Sequence, residues 1–237
     1  MAVRGGPVLP YSLVAGVTPC APGWLVLSAK LNGATFAPEL PRVLSSFMEV
    51  LDERPSFSVI ALNAPIGYVG EAKVGGRTCD RLARSILGRR GSTVHNAPSR
   101  AALREAVGEP EIDGLDAISA ALLPRYREVA NEMAPYRQRT VYEVHPELSF
   151  FQLNGDVPLR WTKKFEVGRE ERRALLIKKV PGIDRALECE LDDVPLAHLL
   201  DAGALLWTAR RIFARAGTRI PSDPEWDDEG LRMEIVR

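Results

Sequence analysis

The sequence predicts a mixed α/β sheet with helices on its faces. Residues 12–31 contain two β-rich apolar runs, "SLVAGV" and "WLVLSAKL", and the prolines and glycine of the intervening "TPCAPG" favour a turn, so a hairpin is expected. The later run "FSVIALNAPIG" is almost entirely apolar, which is typical of a strand buried on both faces. A hairpin followed by strands that alternate with helical segments indicates a mixed sheet covered by helices.

The remaining elements follow from apolar spacing and from the positions of proline. A third strand is expected near "GATFAPEL", and residues 41–54 carry apolar side chains at helical spacing behind Pro41, which predicts a helix crossing the sheet. The chain shows no internal repeat and no low-complexity linker, so a single domain over residues 1–237 is expected. Further predictions are helices over 77–87, 99–107, 113–133 (kinked at Pro124), 169–180 and 195–217, a strand over 140–144, a short helix from Pro146 to Leu153, and an acidic tail that allows a final strand.

Composition and charge exclude several classes of protein. Hydrophobic residues make up 46% and charged residues 26%, as in an ordinary globular protein. Lysine plus arginine and aspartate plus glutamate number 31 each, so no overall charge draws the chain to nucleic acid or to a membrane. The apolar runs are far shorter than the ~20 residues of a spanning helix and no signal peptide is evident, so a cytoplasmic protein is expected. The three cysteines have no paired spacing and are expected to be free thiols.

Polar side chains stand where the predicted strands end. Thr18 follows the first strand, Asn63 follows the strand in "SVIAL", and Glu143 lies in "TVYEV" just before His145 and Glu147. Ligands of such sheets bind at strand ends, so these groups are expected to converge. His145 and Glu147 also have a structural explanation, because they suit the cap and the first turn of the helix that begins at Pro146.

Asp201 is the unusual residue of the last predicted helix. It shares a helical face with small and apolar residues, and a carboxylate that faces a core needs a partner or a metal. The alternative is that this face lies near the rim, where Asp201 is solvated or meets an arginine. Glu143 and Asp201 together could hold a hard divalent cation through oxygen ligands, although two carboxylates alone are a weak signal.

Two basic segments could contact phosphates through charge and bidentate guanidinium bonds. The alternative is a solvated helix surface, because "REERR" interleaves acids and bases. The candidate binding residues are Arg77, Arg81, Arg84, Arg89, Arg90 and Arg100 in the first segment, with Lys163, Lys164, Arg169, Arg172, Arg173, Lys178 and Lys179 in the second and His145 beside the strand end.

Seven blocks of sequence resemble the domain of unknown function 429 family, predicted nucleases with a ribonuclease H-like fold. The blocks are "GVTPCAPGW", "ALNAPIG", "RTCDRLARSILGRRGSTVHNAPSR", "VYEVHPELSFFQLNG", "KKFEVGREERRALL", "LLDAGALLWTAR" and "GLRMEI". The resemblance implies a ribonuclease H-like mixed sheet, hairpin strands first, with helices on both faces. It also implies a site where a first-strand aspartate, a second aspartate before "PIG", the glutamate of "EVHPE" and the aspartate of the final helix meet.

The sequence departs from that family pattern at the two aspartates. Thr18 and Asn63 stand in their places, while Glu143 and Asp201 are retained, as are Asp80, Arg100, His145 and Glu147 within their blocks. Ala130 also stands where the pattern has an acid. A threonine and an asparagine remove two negative charges that paired cations would need.

The sequence therefore supports a family member with impaired or absent catalysis that binds nucleic acid. One alternative is an active nuclease that uses Mg²⁺ or Mn²⁺ held by Asn63, Glu143 and Asp201, with Thr18 beside them; without activity, no cofactor is expected. A second alternative is a non-catalytic scaffold for protein partners that the sequence does not identify. A third is an enzyme that acts on a small phosphorylated molecule.

Overall fold

A computed structural model describes residues 10–104 and 115–237 of the chain. A six-stranded sheet runs in the order β3-β2-β1-β5-β6, with β4 also paired to β2. The pairs that β2 forms with β1, β3 and β4 are antiparallel, whereas β5 is parallel to both β1 and β6. The strands are β1 (Ser12–Cys20), β2 (Gly23–Asn32), β3 (Thr35–Pro38), β4 (Arg42–Leu44), β5 (Val59–Leu62) and β6 (Val141–Glu143).

Eight α-helices and a second, two-stranded sheet make up the other regular elements of the described ranges, together with two 3₁₀ helices at Gly88–Thr93 and Pro135–Arg139. The second sheet pairs β7 (Arg219–Trp226) with β8 (Arg232–Val236) in antiparallel fashion. The helices are α1 (Phe47–Asp52), α2 (Thr78–Leu87), α3 (Arg100–Arg104), α4 (Ala117–Glu132), α5 (Pro146–Leu153), α6 (Glu166–Lys179), α7 (Asp184–Leu187) and α8 (Leu196–Phe213).

Helices cover both faces of the large sheet, as the sequence predicts. Side chains of a strand alternate between its two faces, and in β1 Val14 enters one core while Leu13, Ala15 and Val17 enter the other. The first core is closed by residues of α5, α6, α7 and α8, and the second by residues of α1 and α4. The chain therefore has the mixed α/β architecture with hairpin strands first.

The first hairpin is confirmed, but its turn is shorter than predicted. β1 continues through Cys20 and only Ala21 and Pro22 separate it from β2, so Thr18 lies inside a strand and pairs with Leu25. The Val17 carbonyl accepts from the Asn63 amide, which shows that the odd positions of β1 direct their backbone groups toward β5 and not toward β2. Pro19 is one of these odd positions. The pairing of β5 with β1 ends at Val17 and Leu62, so no ladder bond needs a donor at position 19.

The predicted helix over 41–54 is wrong in its first half. Arg42–Leu44 forms β4, in which Val43 pairs with Leu25, and α1 begins only at Phe47. Ser46 is the N-cap of α1, and its side chain accepts from the Glu49 amide at 3.3 Å. The serine is the start signal that apolar spacing alone misses.

The other predicted elements are present with shifted ends. The helix at 99–107 is Arg100–Arg104, and residues 105–107 lie outside the described residues. The helix at 113–133 is Ala117–Glu132, which is continuous through Pro124, and residues 113 and 114 also lie outside the described residues. The basic segment becomes helical earlier, at Glu166, and the last helix ends at Phe213. The tail forms two strands, of which the first was not predicted.

No helix in the described part of the chain is long and apolar enough to cross a membrane. The three cysteines are free, as expected; Cys20 and Cys79 are buried and Cys189 is partly exposed.

Helix α8 lies directly against β1 at Gly16. A methyl group at this glycine would lie 2.8 Å from the Leu205 Cβ and would overlap the Ala202 carbonyl oxygen and the Leu206 amide nitrogen. Backbone atoms cannot rotate away, so only glycine permits this approach. Since Thr18 is two residues further along β1 and faces the same side, α8 also covers Thr18.

We predict that Gly16→Ala destabilises the protein by about 2 kcal/mol or more, because overpacking forces α8 away from the sheet. Gly70→Ala is the matched control, since a methyl group there meets only the Asp228 carboxylate at 3.7 Å. Urea unfolding followed by circular dichroism gives both free energies of unfolding. Equal values for Gly16→Ala and Gly70→Ala would contradict the close approach.

Candidate functional site

The two positions where the family pattern has aspartates are bonded to each other. Val17 pairs with Leu62, so the next residues, Thr18 and Asn63, are neighbours at the end of the β1–β5 pair. Asn63 Nδ2 donates to Thr18 Oγ1 at 2.9 Å. Thr18 is 1% exposed and Asn63 is half-buried. The structure therefore brings these two residues together as a neutral pair.

The first turns of α8 close this end of the sheet. His198 Nδ1 lies 3.1 Å from the Pro19 carbonyl oxygen, so the helix begins over the end of β1. Asp201, one turn further along, is 3% exposed, which confirms that it faces the interior. Its Oδ2 accepts from the Lys163 ammonium group, whereas the buried Oδ1 has no hydrogen-bond partner among the described residues. Asp201 thus pairs with a lysine through one carboxylate oxygen, and the other oxygen is left without a hydrogen bond within the described ranges.

His145 lies near Asp201 and is uncharged. Its Nδ1 accepts from the Glu147 amide at 3.2 Å, which leaves Nε2 to donate to the Thr93 carbonyl oxygen, also at 3.2 Å. Burial lowers the pKa of His145 and outweighs the opposite effect of the Glu147 and Asp201 carboxylates. His145 is the N-cap of α5, as predicted, and its ring adds no positive charge to this region.

Glu143 faces the opposite side of the sheet from Thr18 and Asn63. It pairs with Leu62, whose side chain belongs to the core closed by α1 and α4. Its Oε2 accepts from the Ile66 amide at 2.6 Å and from Arg77 at 2.8 Å, and its Oε1 accepts from Arg77 at 2.5 Å. Both carboxylate oxygens therefore have partners within this core. Glu143 was expected to converge with Thr18, Asn63 and Asp201, but the structure places it on the other side of the sheet.

The donor set does not fit a pair of divalent cations. Within residues 10–104 and 115–237, no three histidine, cysteine, aspartate or glutamate side chains are grouped so that they could hold a metal ion. On the α8 side of the sheet, Thr18 and Asn63 are neutral and Asp201 is ion-paired. A hard cation would find a single carboxylate oxygen there, whereas Mg²⁺ and paired cations need several oxygen ligands and compensating negative charge.

Arg77 joins two buried carboxylates. It donates to Asp80 Oδ1 at 2.8 Å in addition to its bonds with Glu143, and it also donates to the carbonyl oxygens of Ile66 and Gly67. Burial raises the pKa of Glu143 to about 7, against the opposing effect of Arg77. Burial acts in the same direction on Asp80, but there the guanidinium prevails and the pKa is lowered. At Glu143 burial outweighs Arg77, and the nearby Asp80 carboxylate also raises the pKa of Glu143.

Most of the predicted phosphate-binding arginines instead hold the fold together. Arg77 is 1% exposed, and its partners are the groups just described. In the second segment Lys163 is half-exposed beside Asp201, and the side chain of Lys164 is exposed. The other partners are Gly76 O and Thr78 for Arg81, Gly75 O and Val94 O for Arg84, Pro158 O and Leu159 O for Arg89, Glu147 for Arg90, and Asp227 and Glu229 for Arg100.

Arg172 is the residue that the solvated-helix interpretation of "REERR" misses. It is fully buried, donates to Glu147 Oε1 and lies over the ring of Phe150. The buried residues of α6 are Gly168, Arg172 and Leu176, spaced four apart. That spacing is visible in the sequence and would have identified Arg172 as inward-facing.

We predict that Glu143 makes the protein less stable as the pH rises. Its pKa is about 7 in the folded state and near 4.5 in the unfolded chain, so between these values the folded state holds one proton more. Stability from this group is complete below pH 4.5 and is lost as the pH rises through 7, by up to about 1.4 kcal/mol per pH unit. Unfolding at several pH values should show the wild type losing stability over this range relative to Glu143→Gln.

Glu147→Gln is the matched control for that prediction. Burial works to raise the pKa of Glu147, but Arg172 and Arg90 outweigh it and lower the pKa. A lowered pKa gives stability that is lost only as the pH falls below the unfolded value of 4.5, so the difference from wild type should stay constant between pH 4.5 and 7. A constant difference for Glu143→Gln as well would show that Glu143 is ionised throughout.

Of the comparisons with known proteins, one identifies a family. No curated protein and no solved structure matches the chain. One family model, described as "Protein of unknown function (DUF429)", matches residues 16–226, which span β1 from Gly16 through the end of β7. Because that match covers most of the chain, the protein belongs to the DUF429 family.

Proposed function

We propose that this protein is a catalytically impaired member of its family, in which the crevice at the end of β1 and β5 no longer supports metal-dependent cleavage and the protein binds nucleic acid. The observation that carries the proposal is the 2.9 Å hydrogen bond from Asn63 Nδ2 to Thr18 Oγ1. At the two positions where the resemblance implies aspartates, the amide and the hydroxyl satisfy each other. A neutral, hydrogen-bonded pair of this kind needs no cation to balance it.

The charges around the crevice support the same conclusion. An aspartate pair at positions 18 and 63, beside Asp201, would carry three negative charges, which divalent cations would compensate. With threonine and asparagine in place, Lys163 balances the single charge of Asp201. Glu143, the fourth acid implied by the resemblance, is balanced by Arg77 in the other core. Members of a catalytic group act as a unit, so the loss of two acids removes most of the rate.

Exposed cations close in sequence to Lys163 support binding without cleavage. Arg160 and Lys164 are exposed and have no carboxylate partner in the described part of the chain, and they lie on either side of Lys163 in sequence. Phosphate contacts made by such side chains give affinity that does not depend on metal ions.

Manganese should leave the wild-type melting temperature unchanged and should stabilise the variant Thr18→Asp/Asn63→Asp. The two new carboxylates repel each other and Asp201, so the double variant should melt below the wild type in EDTA and recover in Mn²⁺. A Mn²⁺ concentration one hundred times Kd stabilises the folded double variant by about 2.7 kcal/mol. For a chain of this size, that raises the melting temperature by roughly 5–10 °C. Differential scanning fluorimetry measures both effects, and Thr18→Asn is the uncharged control.

A manganese-induced rise in the wild type that disappears in Asp201→Asn would contradict the loss of the metal site. Manganese-dependent cleavage of DNA, RNA or hybrid oligonucleotides by the wild type, abolished in the same variant, would contradict the loss of catalysis.

The binding half of the proposal is tested without metal. Fluorescence anisotropy in EDTA should show that the wild type binds a labelled oligonucleotide and that binding weakens as salt increases. An anisotropy that stays at the value of free oligonucleotide up to the highest protein concentration would refute it.

A further inference from the structure

Residues 160–169 form an exposed surface that combines aromatic rings with positive charge, here called the 160–169 surface. The Trp161 side chain is 41% exposed and the Phe165 side chain is 61% exposed. The cations of the segment are Arg160, Lys163, Lys164 and Arg169, against the single acid Glu166. Exposing aromatic rings to water costs free energy, so two exposed rings among several cations make this segment a candidate binding surface.

The backbone beneath these side chains is held in place. Glu171 accepts from the amides of Arg160 and Trp161 at 3.0 and 3.1 Å, and the buried Arg172 donates to the Trp161 carbonyl oxygen at 3.0 Å. A methyl group at Gly168 would overlap the Thr162 carbonyl group, so α6 begins tightly against the segment. A ligand would therefore meet rings on a preorganised backbone, which reduces the entropy lost on binding.

Two cations of this surface, Arg160 and Lys164, can meet phosphates without leaving a carboxylate. Arg160 lies over the Trp161 ring, with its guanidinium carbon 5.0 Å from the ring centroid, and has no carboxylate partner in residues 10–104 or 115–237. The Lys164 side chain extends into solvent. Arg89 adds a further cation nearby, because it donates to the carbonyl oxygens of Pro158 and Leu159.

We infer that the 160–169 surface binds single-stranded nucleic acid, with unpaired bases stacked on Trp161 and Phe165 and phosphates held by Arg160 and Lys164. The inference rests on the proposed function and identifies its ligand class. Exposed aromatic rings can stack only with bases that are not already stacked in a duplex, and flanking cations follow the phosphate backbone. Lys163 connects this surface to the crevice, since it lies between Trp161 and Phe165 in sequence and bonds to Asp201.

The experiment compares the wild type with Trp161→Ala/Phe165→Ala by fluorescence anisotropy in EDTA. The ligands are labelled single-stranded DNA and RNA oligonucleotides and the corresponding duplexes. Loss of a stacking ring should weaken single-strand binding about tenfold or more per ring. The wild type should prefer single strands to duplexes, and the DNA and RNA arms show which sugar it accepts. For about three phosphate contacts, log Kobs should fall against log salt with a slope of about −2.

Two matched variants test whether the loss of any exposed tryptophan, or of any two positive charges, weakens binding as much as a change in the 160–169 surface. Trp226 is 61% exposed and lies beside the Arg232 guanidinium at 5.8 Å, so Trp226→Ala removes a similar pair elsewhere. Lys178→Ala/Lys179→Ala removes two exposed charges from the last turn of α6. Trp226→Ala should bind like the wild type, and the lysine pair should lose at most a few-fold. Circular dichroism confirms that each variant folds.

The outcomes distinguish the inference from the proposed function. If the wild type binds nucleic acid and Trp161→Ala/Phe165→Ala binds equally well, the 160–169 surface is not the binding site, while the proposed function stands. If the wild type binds duplexes as tightly as single strands, stacking is refuted. If the wild type binds no nucleic acid, both proposals fail. Should the double variant misfold, Lys164→Glu tests the same surface, with an expected loss of at least about fivefold through charge reversal.

Discussion

The close approach of α8 to β1 at Gly16 is the constraint on which the candidate site depends. Because no side chain intervenes, the Ala202 carbonyl oxygen and the Leu206 amide lie directly over the strand. The first turns of α8 then cover the end of β1, where His198 contacts the Pro19 carbonyl oxygen. This contact sets Asp201 on the same side of the sheet as Thr18 and Asn63, while Glu143 faces the other core.

Each buried acid of the region is balanced by a cation of the chain itself. Glu143 and Asp80 share Arg77, Glu147 has Arg90 and Arg172, and Asp201 has Lys163. Removing one partner of such a buried pair leaves an uncompensated charge, which costs more than the pair itself contributes. The region is therefore built as a set of ion pairs around two neutral residues, in which Asp201 Oδ1 and Arg172 Nε are buried without a hydrogen-bond partner among the described residues.

Elements that depend on a local sequence pattern could be predicted. Features that depend on strand pairing or on contacts between distant residues could not. The first hairpin follows from two β-rich runs around a proline- and glycine-containing turn, and α5 follows from Pro146; both are present. The spacing of Val43 and Leu44 suits a helix as well as a strand, and the pairing of β4 with β2 decided the outcome. Convergence of Glu143 with Thr18 failed because strand register decides which face a side chain takes, and one chain does not reveal that register. The bonds from Arg77 to Glu143 and from Lys163 to Asp201 join residues that are distant in sequence, so they were equally hidden.

A crystal structure of the wild type soaked in manganese, with anomalous diffraction data, tests the central claim most directly. We expect the Asn63–Thr18 hydrogen bond and the Lys163–Asp201 ion pair to be present, without an anomalous peak between them. A manganese peak coordinated by Asp201 Oδ1 and the Asn63 side-chain oxygen, with Lys163 displaced, would show that the crevice still holds a metal ion and would contradict the account.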